Sequence, residues 1–270
     1  MTTLSDVPHL TTGWEPGLPH DDTALRNFVL AWAESLAGPV RAQGGRVVRT
    51  ADALTADLGR PGSYYTSAVL LRPPRPDEWD QALDGVERTM FRSGAGPVHL
   101  WSAWPTPDLS ERDWRLEGHP PFLLRPPGGL IPEAAGLDVR EVVERADLRI
   151  WERVVVEGYP LADLQPWRPG VLFRDGVLSS GLRMWVGYSG REPVAAAASY
   201  VAFGLHVLAI GVVLPRVRGQ GYWRSLLRTR LAAHPDLPSA SLFSDMSRPG
   251  AQRHGFWPIS RFTLWVRDRS

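Results

Sequence analysis

The chain has 270 residues, a formal net charge of +1, 43% hydrophobic and 22% charged residues, which fits a globular protein of one large domain or two ordinary ones and excludes a disordered chain or a general nucleic-acid-binding surface. Cysteine is absent, which excludes disulfides, thiolate nucleophiles and cysteine metal sites. All 30 basic residues are arginine, so no lysine can serve as Schiff base, catalytic base or nucleotide-loop ligand.

The polar, turn-rich start "MTTLSDVPHLTTGWEPG" carries no secretory pattern. No apolar run approaches the ~20 residues of a membrane helix, and a cytoplasmic location is the expectation. Asp22 caps a predicted helix whose apolar positions are Leu25, Phe28, Val29, Trp32 and Leu36, ended by Gly38-Pro39. "SYYTSAVLL" (63–71) reads as a strand, Trp79 to Met90 as a helix and "PVHLWSAW" (97–104) as another strand. "GHPPFLLRPPGGLIPEAAG" (118–136) holds five prolines and four glycines and marks a domain boundary.

Beyond it, "LDVREVV" (137–143) is a predicted strand and Asp147 to Tyr159 a helix. Residues 160–181 form a looping segment. "LRMWVGYSG" and "EPVAAAASYVAF" make a hairpin turning at Ser189-Gly190-Arg191. "LHVLAIGVVL" (205–214) is apolar on both faces and hence a central strand. A helix carrying Trp223, Leu226, Leu227 and Leu231 follows, then a strand at 239–247, a short polar segment ending in "HGF", and a last strand, "WPISRFTLWVRD" (257–268). The order predicts a mixed α/β sheet of the α+β kind.

Between the central strand and its helix lies "GVVLPRVRGQGYWR" (211–224). Glycines in such a loop let backbone N–H groups converge on phosphate oxygens, and the helix N-terminus adds partial positive charge. A nucleotide P-loop would need a lysine. A dinucleotide fingerprint would need a third glycine where Arg224 stands, and a strand that opens a βαβ unit. The pattern left is V-x-x-P-x-x-R-G-x-G-x-x-x-x-L, from Val212 to Leu226.

This pattern resembles motif A of the GNAT (GCN5-related) N-acetyltransferase superfamily, whose core [QR]-x-x-G-x-[GA] is filled by Arg216, Gly219 and Gly221. Residues 137–270 follow the family's order of elements, and "HGF" (254–256) is similar to its "L-G-F" turn. The resemblance implies two tandem halves: a degenerate GNAT-like domain at 1–125, a Pro/Gly-rich linker at 126–136 and a GNAT domain at 137–270. It also implies acetyl-CoA or another acyl-CoA as co-substrate and no metal. The acyl-CoA would be held by Arg216, Arg218, Gly219, Gln220, Gly221, Tyr222 and Trp223, with its arm along the backbone of Val212 and Val213.

Acyl transfer to an amine needs a held donor, a base, N–H donors for the oxyanion and a proton for the leaving thiolate. Family members commonly place a proton-donating tyrosine four residues before the glycine of "L-G-F"; here that position is Ala251. Ser247 is the nearby hydroxyl. His206, early on the central strand, and Asp245, beside the expected cleft, are the candidate bases. Each also has an ordinary structural reading, His206 at a strand edge and Asp245 as a cap. The seven histidines show no metal-ligand spacing. Trp167, Trp185 and Trp257 lie where an acceptor pocket could form. The expected partner is a small-molecule amine, in specialised metabolism or self-resistance. Donation by an acyl carrier protein or aminoacyl-tRNA, and acyl-CoA sensing without turnover, stay open as alternatives.

Overall fold

The computed structural model describes residues 24–61, 63–92, 94–129, 131–132, 136–159, 161 and 164–269. The predicted cap Asp22 lies outside them. Helix α1 (Ala24–Ala42) is followed by strands β1 (Arg46–Arg49), β2 (Ala53–Asp57) and β3 (Ser67–Leu70), helix α2 (Trp79–Met90), and strands β4 (Val98–Ser102), β5 (Arg115–Gly118) and β6 (Pro121–Arg125). After the Pro/Gly segment come β7 (Asp138–Glu141), α3 (Arg145–Gly158), β8 (Arg183–Ser189), β9 (Glu192–Ala202), β10 (Leu205–Val213), α4 (Tyr222–Ala233), β11 (Ser239–Leu242), α5 (Arg248–Arg253), β12 (Trp257–Arg261) and β13 (Thr263–Arg267).

Helix α1 runs through Gly38-Pro39 instead of stopping there. Proline this near a helix end removes only one ladder bond, and Gly38 lies so close to the Tyr200 ring that a Cβ would stand 2.7 Å from its hydroxyl. Strand β9 is built from four buried alanines, Ala195 to Ala198. Their small side chains let α3 pack on one face of the sheet and α4 on the other, and Trp151 Nε1 donates to the Ala197 carbonyl at 2.9 Å.

Two mixed sheets form, in the orders β1-β2-β3-β4-β13-β5 and β12-β6-β11-β10-β9-β8-β7. Each takes one strand from across the 126–136 segment. "PFLLR", predicted as part of the boundary, is β6 and sits between β11 and β12 of the second sheet. The last predicted strand is two strands: β12 stays in the second sheet, and after Phe262 β13 enters the first sheet between β4 and β5. The sheets therefore do not follow the sequence limits of 125 and 137. Phe28 on α1 stacks on Phe122 of β6 with centroids 4.1 Å apart and meets Phe262 edge-on at 5.6 Å. All three rings are fully buried, so one aromatic cluster pins both crossing strands to α1.

A buried carboxylate fastens the irregular segment after α3. Glu152 is fully enclosed; its Oε1 accepts from the N–H groups of Leu172 and Phe173, and its Oε2 from Gly170 N–H and the Arg149 guanidinium, all within 2.9 Å. The held segment reaches the first half, where Arg60 donates to the carbonyls of Val171 and Leu172. Glu152→Ala leaves the amides of Gly170, Leu172 and Phe173 without their acceptor, while Arg149 keeps Asp175. The substitution is expected to cost about 3–5 kcal/mol, read as a lower urea midpoint, and Glu152→Gln is expected to cost less.

Candidate functional site

Parallel strands β10 and β11 are paired only at His206–Ser239 and Val207–Ala240. Beyond that they separate. A bulge between Val207 and Ile210 turns β10 away, and Ser241 Oγ takes the Leu208 carbonyl at 2.7 Å in place of a ladder bond. The gap opens into a cavity of about 1600 Å³ whose walls include Leu208 to Val213, the loop from Val217 to Arg224, and Ser241 to Ser247.

The loop leaves β10 at Pro215, which begins a short 3₁₀ turn, and ends at the start of α4. Gly219 and Gly221 have φ of +84° and +80°, the left-handed region that only glycine adopts freely. Nothing lies within 4 Å of where their Cβ atoms would stand. The amides of Gly219, Gln220 and Gly221 donate to no described residue, and they sit at the positive end of α4 beside Arg224. This cradle suits a phosphate or pyrophosphate. The matching stretch of the first half, between β3 and α2, reads "LRPPRPDE" (71–78) and has no glycine. Glu78 stands at the start of α2, paired with Arg72 at 3.0 Å, so a carboxylate is placed where an anion would have to bind.

Inside the gap, the Tyr159 hydroxyl lies 3.2 Å from the Gly211 carbonyl oxygen and 3.3 Å from the Gly211 N–H. Burial raises the pKa of this phenol; the bond to Gly211 and the charges of Arg230 and Arg218 offset part of the rise. Arg218 donates through Nε to the Val213 carbonyl and through Nη2 to the Gly158 carbonyl, both at 3.1 Å. The backbone of Gly211 and the carbonyl of Val213 are thus met by one phenol and one guanidinium. Sequence reading placed Tyr159 only as an apolar helix position. The signal it missed is tertiary: the end of α3 lies across the point where the strands part.

The first half closes the cavity. Trp32, Tyr64 and Trp101 form an aromatic wall, Trp32 edge-on to Trp101 at 5.3 Å and Tyr64 tilted against Trp101 at 5.6 Å. Glu117, His119, Asp245 and His254 line the same space. Asp245 is held below the ordinary carboxylate range, first by its hydrogen bond from Arg261. His254 is pushed down by burial and by Arg224, Arg253 and Arg125.

The candidates from sequence are sorted by this geometry. Arg218 to Trp223, Val212, Val213, Asp245 and Ser247 come together on the cavity. Arg216 does not line it and pairs with Glu192 on the outer side. His206 does not line it either: it is fully buried behind the paired ends of β10 and β11, with Nδ1 3.2 Å from Ser239 Oγ and its ring 4.9 Å from that of His234. Ser247 is engaged with Ser244 at the start of α5. Ala251 is fully buried against Phe243 and Phe256 and away from the cavity. Among the tryptophans, Trp185 is core, Trp257 is 63% exposed elsewhere and Trp167 packs at the core margin; Trp32, Trp101 and Trp223 line the cavity instead.

No family model matches the sequence, and no curated protein matches it. Solved structures match the fold. A GCN5-related N-acetyltransferase from Kribbella flavida is 20% identical, with a TM-score of 0.64 over 90% of this chain and 95% of that one. A protein of Novosphingobium aromaticivorans assigned to the GNAT family is 13% identical, with a TM-score of 0.58 over 89% and 97%. A tandem GNAT protein from the clavulanic acid biosynthesis pathway, solved without AcCoA, is 12% identical, with a TM-score of 0.50 over 93% and 97%. Among the described residues no helix is long and apolar enough to cross a membrane.

The placement of His206 has a measurable consequence. Its pKa is lowered to about 3, first by burial and then by the charges of His234, Arg230 and Arg183. The unfolded chain binds a proton below pH ~6.5 that the native state refuses. This residue's contribution to stability is therefore full above that pH and lost as pH falls from there towards 3. The loss should be at most about 1.4 kcal/mol per pH unit. Urea titrations from pH 7 to 4 should show a shallower pH dependence for His206→Gln than for the wild type.

Proposed function

We propose that this chain, whose fold is that of the GCN5-related N-acetyltransferases with two mixed sheets in tandem, transfers an acyl group from an acyl-CoA thioester to the amine of a small molecule. One observation carries the reading: a glycine loop with three unengaged amides at a helix N-terminus opens onto the same cavity as the parting of β10 from β11. A pyrophosphate fits the first feature and an extended amide-bearing arm fits the second. Acyl-CoA brings both, together with an activated carbonyl.

The chain's own groups then divide the work. The loop amides and Arg224 take the pyrophosphate charge. Val212 and Val213 guide the arm, and Arg218 lets go of the Val213 carbonyl to admit it. Gly211 N–H, freed from Tyr159, points at the carbonyl that must gather negative charge. Tyr159 stays protonated at neutral pH and stands at the place of reaction, so it is the hydroxyl that returns a proton to the leaving sulfur. It takes the part that Ala251 leaves open. Glu117 and Asp245 draw a cationic amine to the rim, the aromatic wall receives an apolar or aromatic body, and His119 is placed to take the amine's proton. Acetyl is the acyl group first in line. The residues before and after 126–136 act as a binding wall and a donor cleft respectively.

Gly219→Asp or Gly221→Glu should weaken acetyl-CoA binding by at least ~30-fold, read by calorimetry, while circular dichroism stays unchanged. A carboxylate there opposes the pyrophosphate at contact distance. Undiminished affinity would remove the loop from the site. Tyr159→Phe should cut kcat by about 10²-fold with little change in KM for the thioester, measured by thiol release over a panel of arylalkylamines. An unchanged kcat would reduce Tyr159 to a plug in the gap.

A further inference from the structure

Arg230, on the third turn of α4, is 2% exposed and yet lines the cavity. Its Nη1 donates to the Ile210 carbonyl at 2.8 Å and its Nε to the Leu226 carbonyl at 3.3 Å. No carboxylate among the described residues is within ion-pair distance of it, and of its donors Nη2 meets no described acceptor. Carbonyl dipoles alone leave a full charge without countercharge in a low-dielectric setting, which is unfavourable. Burial accordingly lowers its pKa to about 10, and Tyr159 offsets part of the fall.

The strand makes room for this cation. A Cβ on Gly211 would stand 3.0 Å from Nη2 and 3.3 Å from Nη1 of Arg230. Gly211 has ordinary strand pairing with Ala197, so no turn demands a glycine there; the guanidinium does. The cation therefore sits directly against the residue whose N–H and carbonyl face the gap, and holds the carbonyl of Ile210, one residue nearer the end where β10 and β11 are paired.

We propose that Arg230 is a carboxylate-binding group at the inner end of the cavity, so that one of the two reactants carries a carboxylate in addition to its reacting centre. The inference rests on the acyl-CoA reading above and deepens it. A carboxylate accepts from Nη2 and supplies the countercharge that the fold omits. Two reactants could bring it: a dicarboxylic monoacyl thioester, whose far end extends past the thioester along β10, or an amino-acid-like acceptor.

Calorimetry on the full chain separates these sources. The first arm compares malonyl-CoA and succinyl-CoA with propionyl-CoA and butyryl-CoA. The second, at saturating acetyl-CoA, compares phenylalanine and tryptophan with their methyl esters. The wild type should prefer the carboxylate by at least ~10-fold on one arm. That ratio should fall below ~3 in Arg230→Gln and recover in part in Arg230→Lys, which keeps the charge without the fork. Acetyl-CoA binding with no preference on either arm overturns this inference and leaves the acyl-CoA reading standing. A preference that persists in both variants also overturns it. Failure to bind any thioester overturns the acyl-CoA reading itself, and this inference with it. If Arg230→Gln does not fold, the wild-type ratio and Arg230→Lys decide.

Discussion

Strands β10 and β11 run parallel but stay paired at only two positions, and the site exists because they part. Parallel pairing is cooperative along a sheet, so a gap in it needs a cause. Here the cause is local. A bulge adds a residue to β10, and the Ser241 hydroxyl caps the last carbonyl that β11 would have met. Beyond that point the gap-facing backbone of β10 must find other partners, because buried N–H and carbonyl groups do not stay bare. Tyr159 and Arg218 supply them, each through a side chain brought in from another element.

The exchange of strands between sheets fixes what faces that gap. Since β6 lies in the second sheet and β13 in the first, the halves cannot move apart without breaking both sheets. The Phe28, Phe122 and Phe262 cluster ties the crossing strands to α1. Helix α1 also brings Trp32 to the cavity, so the aromatic wall is held by the same core that joins the halves. The first half carries a carboxylate, Glu78, where its own loop would have to take an anion, and its Trp32, Tyr64 and Trp101 line the cavity that the second half opens.

Local signals were read well from sequence wherever one residue type permits one backbone. Gly219 and Gly221 occupy left-handed positions that few other residues hold, and the strand, proline, loop and helix around them follow in the order expected. The β8–β9 hairpin pairs Ser189 with Glu192, as its turn residues imply. Within the Pro/Gly-rich stretch 118–136, proline edges do not prevent the five residues of β6 from pairing with strands far away in sequence. The final apolar run read as one strand because periodicity cannot show that its two ends enter different sheets.

The sequence by itself determined the glycine-rich loop between β10 and α4, the absence of lysine and cysteine chemistry, and the alanine at 251, since each is a matter of which residues the chain contains and in what local order. Only the tertiary structure decided which distant groups meet at the cleft. It buried His206 behind the paired strand ends, turned Arg216 outward to Glu192, and carried Tyr159 and Arg230 to the same residue, Gly211, from two different helices. The reason is physical: a loop's conformation is set by its own dihedral freedom, whereas a side chain's neighbours across a sheet are set by how the whole core packs.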